Sequence, residues 1–402
     1  MIALLLAQTI AITGGTVYPV SGPKLVNATV LVRDGRVAAV GTNVAVPADA
    51  KRIDATGKWI TPGLIDGAGQ MGLVEIEAVP GTREATLAGD TIAAAFNVGE
   101  GINPASALIP VTRIEGVTTV VVAPAGNLVS GQAVMVDLDG PTIEQMRVRS
   151  PVGMVVDLSE NGKQYAGGSR AGVAERLRSV FRDALQYERR KTDFNRAQMQ
   201  PLSAPAADLE ALLPVLHGRE PLIAYANRRS DIETALRLAR EFKLRLIVAG
   251  AQEGWEVAGE LAAAGVPAVV EPLDNIPSYD ALGIRYENAA LLAKAGVKVA
   301  LMETNTHNSR LLRQEAGNAV SYGMPWEQAL RAVTLAPAEM FGVADRYGSL
   351  EPGKVANVVV WSGDPFEFST GVEHVLIRGK EIPLTSRQTE LFERYKKLPP
   401  TY

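Results

Sequence analysis

Through the middle of the chain, short apolar runs alternate with stretches whose apolar residues recur at helical spacing. The runs lie at 63–66, 118–123, 152–158, 222–226, 244–249, 268–272 and 297–302, and helical patterns are clearest at 231–242, 255–264, 286–295, 309–322 and 326–334. Strands that alternate with helices need crossover connections, so the pattern constrains the chain to a parallel α/β architecture. No tandem repeat of fixed period interrupts it. Residues 188–205 are charged and then Ser/Ala/Pro-rich, the pattern of an exposed helix running into a loop.

The two ends read differently. Residues 9–58 form short alternating strands broken by Gly14-Gly15, Ser21-Gly22-Pro23 and Asp34-Gly35. Asp-Gly between two β-rich runs is a strong two-residue hairpin signal. At the far end, 356–361 and 372–379 again read as strands, after Gly348-Ser349-Leu350-Glu351-Pro352-Gly353-Lys354. That segment has the spacing of a phosphate loop, but Val355 stands where Ser or Thr is required and strands follow instead of a helix.

Composition narrows the function classes. The 402 residues are 47% hydrophobic, enough for one large domain and a smaller one, and the net charge of -4 is interspersed. Nothing favours nucleic acid or an anionic membrane, which leaves small-molecule chemistry or a protein partner. With no cysteine, disulfides and thiolate chemistry are excluded. Residues 1–8 are apolar and too short to span a bilayer. They are either the remnant of a secretory signal cut near Ala7, which makes the protein periplasmic or secreted, or an N-terminal strand of a cytoplasmic one.

The segment Pro62-Gly63-Leu64-Ile65-Asp66-Gly67-Ala68-Gly69-Gln70 resembles the entry to the first strand in the amidohydrolase superfamily, Pro-Gly-x-Ile-Asp-x-His-x-His. The resemblance extends to Ala295-Gly296-Val297, to Thr334 with Pro337-Ala338, and to Gly353-Lys354, with Asn357 in place of the usual Asp. It implies a distorted TIM (β/α)8 barrel over 61–347, beside a small β-sandwich in which 1–60 pairs with 348–402. Seven of the eight strands are then accounted for by the apolar runs, and the missing one is expected between Gly162 and Gly218. The activity it implies is hydrolysis of C-N bonds in cyclic amides or peptides, with Zn2+ or another divalent metal.

The ligands that the resemblance calls for are replaced. Ala68 and Gln70 stand at the two first-strand histidines, Tyr225 at the fifth-strand imidazole, Ala249-Gly250-Ala251-Gln252 at the sixth-strand histidine, and Thr304, less readily Glu303, at the eighth-strand aspartate. The bridging lysine or glutamate has no counterpart that can be placed. Of the three histidines, His217, His307 and His374, only His307 follows the C-terminal end of a strand, where barrel active sites lie. The expectation is a degenerate site without an ordered metal: a catalytically silent or accessory protein, binding a small molecule, alone, as a homo-oligomer, or with a ligand-bearing homologue.

The alternative is an active hydrolase without metal, in which Asp66, Tyr225, Glu303 and His307 supply acid/base groups. Gln70, Arg83 and Arg228 are candidates for binding the substrate. A loose Mg2+ or Ca2+ site would need Asp66, Gln70, Glu75, Glu303 and His307 to surround the mouth. Ser130-Gly131-Gln132 and Ser169 read as loop residues without catalytic partners, and residues 75–110 as a lid or an interface.

Overall fold

The computed structural model describes residues 9–397, so the apolar stretch 1–8 lies outside the described residues. Eight strands form the central sheet: β1 (Leu64–Gly69), β2 (Val117–Val122), β3 (Val129–Asp137), β4 (Arg147–Asp157), β5 (Leu222–Ala226), β6 (Leu246–Gly250), β7 (Ala268–Val270) and β8 (Val299–Leu301), hydrogen-bonded in sequence order. The sheet curls into a nearly closed barrel. At the seam between β1 and β8 the backbones come so close that a Cβ on Gly67 would lie 2.8 Å from the Leu301 carbonyl oxygen. Glycine is required there by contact, not by conformation.

The strand missing from the sequence pattern is not between Gly162 and Gly218. That stretch is helical, with α1 at Arg170–Arg189 and α2 at Ala206–Leu216. Ser169 caps α1 by accepting from the Gly172 amide at 3.0 Å, and Val173, Leu177, Val180, Phe181 and Ala184 form its buried stripe. The missing strand is β3, which runs antiparallel to both β2 and β4. Ser130-Gly131-Gln132 is therefore strand and not loop. The reason it reads as loop is local: β3 is buried on both faces, so it shows no alternation, and Gly131 sits at a register shift with φ of 122°. A Cβ there would meet the Phe96 carbonyl oxygen at 2.4 Å.

Ile65, Val121, Met135, Val155, Ile223, Ile247, Val269 and Ala300 fill the barrel interior and continue into Met340, Phe341 and Val343. The Arg149 guanidinium, near the start of β4, donates to the Phe341 carbonyl at 3.3 Å, so this plug closes the end where the strands begin. The opposite end stays open for chemistry.

The two chain termini share a second sheet of eight strands. Its order is 380–382, 372–377, 358–361, 59–62, 10–17, 25–33 and 36–41, with 51–54 added alongside 10–17. Asp34 and Gly35 both have positive φ, 54° and 75°, as the expected tight hairpin demands. Trp59–Pro62 pairs antiparallel with Val358–Trp361, and the chain then enters β1 at Leu64, so this sheet holds the first barrel strand in place. No helix among the described residues is long and apolar enough to cross a membrane.

Candidate functional site at the barrel mouth

A cavity of about 170 Å³ opens at the C-terminal ends of the strands. Ala68, Gly69 and Gln70 enter it from β1 and its exit, Ser130 from β3, Asp157 from β4, Tyr225 from β5 and Thr304 from the segment after β8. A wider trough of about 410 Å³ shares Gln70, Ala125, Asp157 and Asn161 with it and reaches Arg83 and Gln164. Gln70 lines both spaces and Arg83 the wider one. Arg228 does not line either space; its guanidinium lies 5.7 Å from the centre of the Tyr279 ring.

Beside the cavity lies a group of carboxyls. Thr304, which lines the cavity, donates through Oγ1 to Glu271 at 2.8 Å and through its amide at 3.3 Å. One oxygen from each of Glu271, Glu303 and Glu315 lies within 4.8 Å of the others. Asp66 adjoins them: its Oδ1 accepts from the Glu303 amide at 3.3 Å and the Ala68 amide at 3.2 Å, while its Oδ2 is buried without a partner. Burial pushes Asp66 up to about 7, and its two amide donors only partly offset that. Burial, then the neighbouring Glu303, raises Glu271 to about 8. Burial likewise raises Glu315 to about 9, and Glu303 in the same direction. Tyr225, half-buried at the cavity, has its hydroxyl pushed upward by desolvation and then by the negative charges of Glu271, Asp157 and Asp66, and stays protonated. Asp157 is also raised, chiefly by burial, against donors from Ser159.

The four catalytic candidates therefore separate. Asp66 and Glu303 meet behind the cavity wall, Tyr225 lines the cavity, and His307 is exposed. The helical turn that contains it is capped by Asn305, which accepts the His307 amide at 3.1 Å. Glu75 is turned away from the mouth and accepts from the Ala107 amide at 2.8 Å. His217 contacts Glu188 at 2.9 Å and His374 contacts Glu381 at 2.7 Å, on the α1–α2 side and in the terminal sheet respectively. The donor set at the mouth is thus oxygen only, which does not fit a Zn2+ centre held by imidazoles.

Sequence reasoning passed over Asp157, Glu271 and Glu315. Glu271 directly follows β7, a position that marks it as a mouth residue once the strand end is known. Asp157 closes β4 in the same way. Glu315 lies in α3 (Leu312–Ser321) and accepts from the Leu273 amide at 2.8 Å; no local signal separates it from any other helical glutamate. The rim is held by Arg170, which donates to Asp231 at 2.9 Å, to Glu160 at 3.1 Å and to Asp280 at 2.5 Å. Asn227, just past β5, reaches Asp280 at 3.2 Å, so the 278–280 loop is pinned to the strand ends.

A model of the amidohydrolase family matches residues 223–382. The crystal structure of an amidohydrolase from Thermotoga maritima MSB8 is 31% identical, covers 93% of this chain and 99% of its own, and superposes with a TM-score of 0.86. Amidohydrolase tasK of Hapsidospora irregularis is 25% identical over 87% of this chain, which spans only 39% of that protein. A dihydroorotase of Anaeromyxobacter sp. (strain K) is 44% identical over 15% of this chain and 14% of its own length.

Proposed function

This chain belongs to the amidohydrolase family, and on that premise we propose that it binds a small amide-like molecule at the barrel mouth without hydrolysing it through a histidine-held metal. It is on this reading a catalytically silent or accessory member of a family of hydrolases. One observation carries the reading: where the family resemblance puts imidazoles and an aspartate, the mouth presents Ala68, Gln70, Tyr225 and Thr304, and none of the three histidines lines the cavity.

The lining suits recognition. Gln70, Ser130, Asn161, Tyr225 and Thr304 offer neutral donors and acceptors in a half-enclosed space, and Arg83 offers a cation at the outer end of the trough. A small number of placed polar groups in a concave pocket fixes ligand orientation. An amide at the inner end and a carboxylate toward Arg83 would satisfy both, which points to N-acyl amino acids, dipeptides or cyclic amides bearing a carboxylate.

Calorimetric titration with such compounds, alongside turnover assays and a metal census of protein purified without chelator, tests the reading. The expected result is binding that weakens on Gln70→Ala, with no turnover and no stoichiometric Zn2+. Turnover that falls more than about tenfold on Asp157→Asn would instead establish general acid/base catalysis by the raised carboxyl that faces Tyr225. One equivalent of tightly held Zn2+ would overturn the reading altogether.

A further inference from the structure

The carboxyls behind Thr304 are incompletely partnered: Glu271 accepts from Thr304 and Glu303 from the Asn305 amide, but Glu315 and Asp66 each keep one buried oxygen without a donor. Glu303 and Glu315 are 5% and 0% exposed, and Asp66 is 0% exposed. Among the described residues, no lysine, arginine or histidine forms an ion pair with any of the four. Glu315 spends Oε2 on the Leu273 amide and leaves Oε1 without a partner. Asp66, which stands outside the three-glutamate group, independently leaves Oδ2 unpartnered, and its charge is felt by both Glu303 and Glu315. The hydroxyl of Thr306, on the segment that joins Glu303 to α3, is buried and unpartnered as well. Several acids in one buried place must either hold protons, as their raised pKa values allow, or have something positive among them.

We propose that Glu271, Glu303 and Glu315, with Asp66 beside them, form a site for one hard divalent cation, Ca2+ by preference, distinct from a histidine-held centre. The donors are all oxygen, which selects Ca2+, Mg2+ or Mn2+ over Zn2+. Several carboxylates gathered in one place favour Ca2+, which takes many protein oxygens, over Mg2+, which keeps most of its waters and is usually held by one or two carboxylates. The ligands come from the ends of β7 and β8 and from α3, and Asp66 from β1. A cation there ties the barrel seam between β1 and β8 to the helix outside it, and through Glu271 it fixes Thr304 at the cavity wall.

The test uses the full chain, stripped with chelator, and needs no substrate. Calcium chloride titrated by calorimetry is expected to show one site per chain, and saturating Ca2+ to raise the thermal midpoint by about 3 °C or more, reversibly with chelator. Mg2+ is expected to bind more weakly. Glu315→Gln keeps the side chain's shape and its bond to the Leu273 amide, and is expected to weaken Ca2+ binding by at least about tenfold. If Glu315→Gln does not fold, Glu271→Gln, at a partly exposed position, carries the same expectation. The proposal fails if the unsubstituted chain takes up no Ca2+ or Mn2+ at millimolar concentration, or if the glutamine variants bind as tightly as it does. Because the readout is cation uptake, its failure leaves the ligand-binding reading of the mouth standing, and the reverse also holds.

Discussion

Two fully buried aspartates lie on the same barrel and have opposite surroundings. Asp137, at the end of β3, accepts from Thr119 Oγ1 at 2.8 Å, Asn357 Nδ2 at 2.9 Å, the Tyr347 hydroxyl at 2.9 Å and Arg378 Nε at 2.5 Å. It locks the barrel to the terminal sheet, and Asn357, which replaces the family's usual acid, also accepts the Arg378 amide at 2.8 Å. Asp66, at the mouth, has two backbone amides on one oxygen and nothing on the other. Equal burial thus yields a finished structural joint in one place and an incomplete one in the other. A buried acid whose bonds are all made explains itself, whereas one left open points to a ligand.

Matched substitutions separate the two. Asp137→Asn turns an amide toward Arg378 and Tyr347 and is expected to lower the unfolding free energy by about 3–5 kcal/mol, read as a large drop in the urea midpoint. If it costs under about 1 kcal/mol, Asp137 is not the joint described. Gly67→Ala forces a methyl against the Leu301 carbonyl and Val269 at the barrel seam. The expected loss is about 1–3 kcal/mol by the same measurement, with ligand affinity at the adjoining mouth reduced too.

Asp66→Asn keeps the acceptor for Ala68 and Glu303 and replaces only the unpartnered oxygen. In chelator-treated protein it is expected to change stability by less than about 1 kcal/mol, in contrast with its counterpart at Asp137. A loss as large as that of Asp137→Asn would mean the two aspartates do not differ as described. The smallest effect is expected for Arg83→Ala, within about 0.5 kcal/mol in the urea midpoint. A difference should instead appear in titration with carboxylate-bearing ligands, and equal affinity would remove Arg83 from the site.

Much of the fold is legible in the sequence because its signals are local. The Asp34-Gly35 turn, the strands at both ends and the run Leu64-Ile65-Asp66 each follow from neighbouring residues. β3 escapes because burial on both faces erases alternation, and Gly131 mimics a loop. Around the cavity, Asp66, Gln70, Tyr225 and Thr304 are singled out by the family motif and by positions in or just after strands. His307 misleads for the same reason, since following a strand does not fix whether a side chain turns inward, and here it faces solvent.

By itself, then, the sequence determines the alternation of strand and helix, the β-rich ends, the resemblance to a hydrolase family and the lack of histidines at the motif of the first strand. Only the tertiary structure decides that Asp66, Glu271, Glu303 and Glu315 share one buried place. Those residues are separated by as much as three fifths of the chain, and closure of the barrel at Gly67 and Leu301, with α3 laid against it, brings them together. Burial is a property of that closure. It is burial, not residue type, that raises these carboxyls and leaves their oxygens without partners.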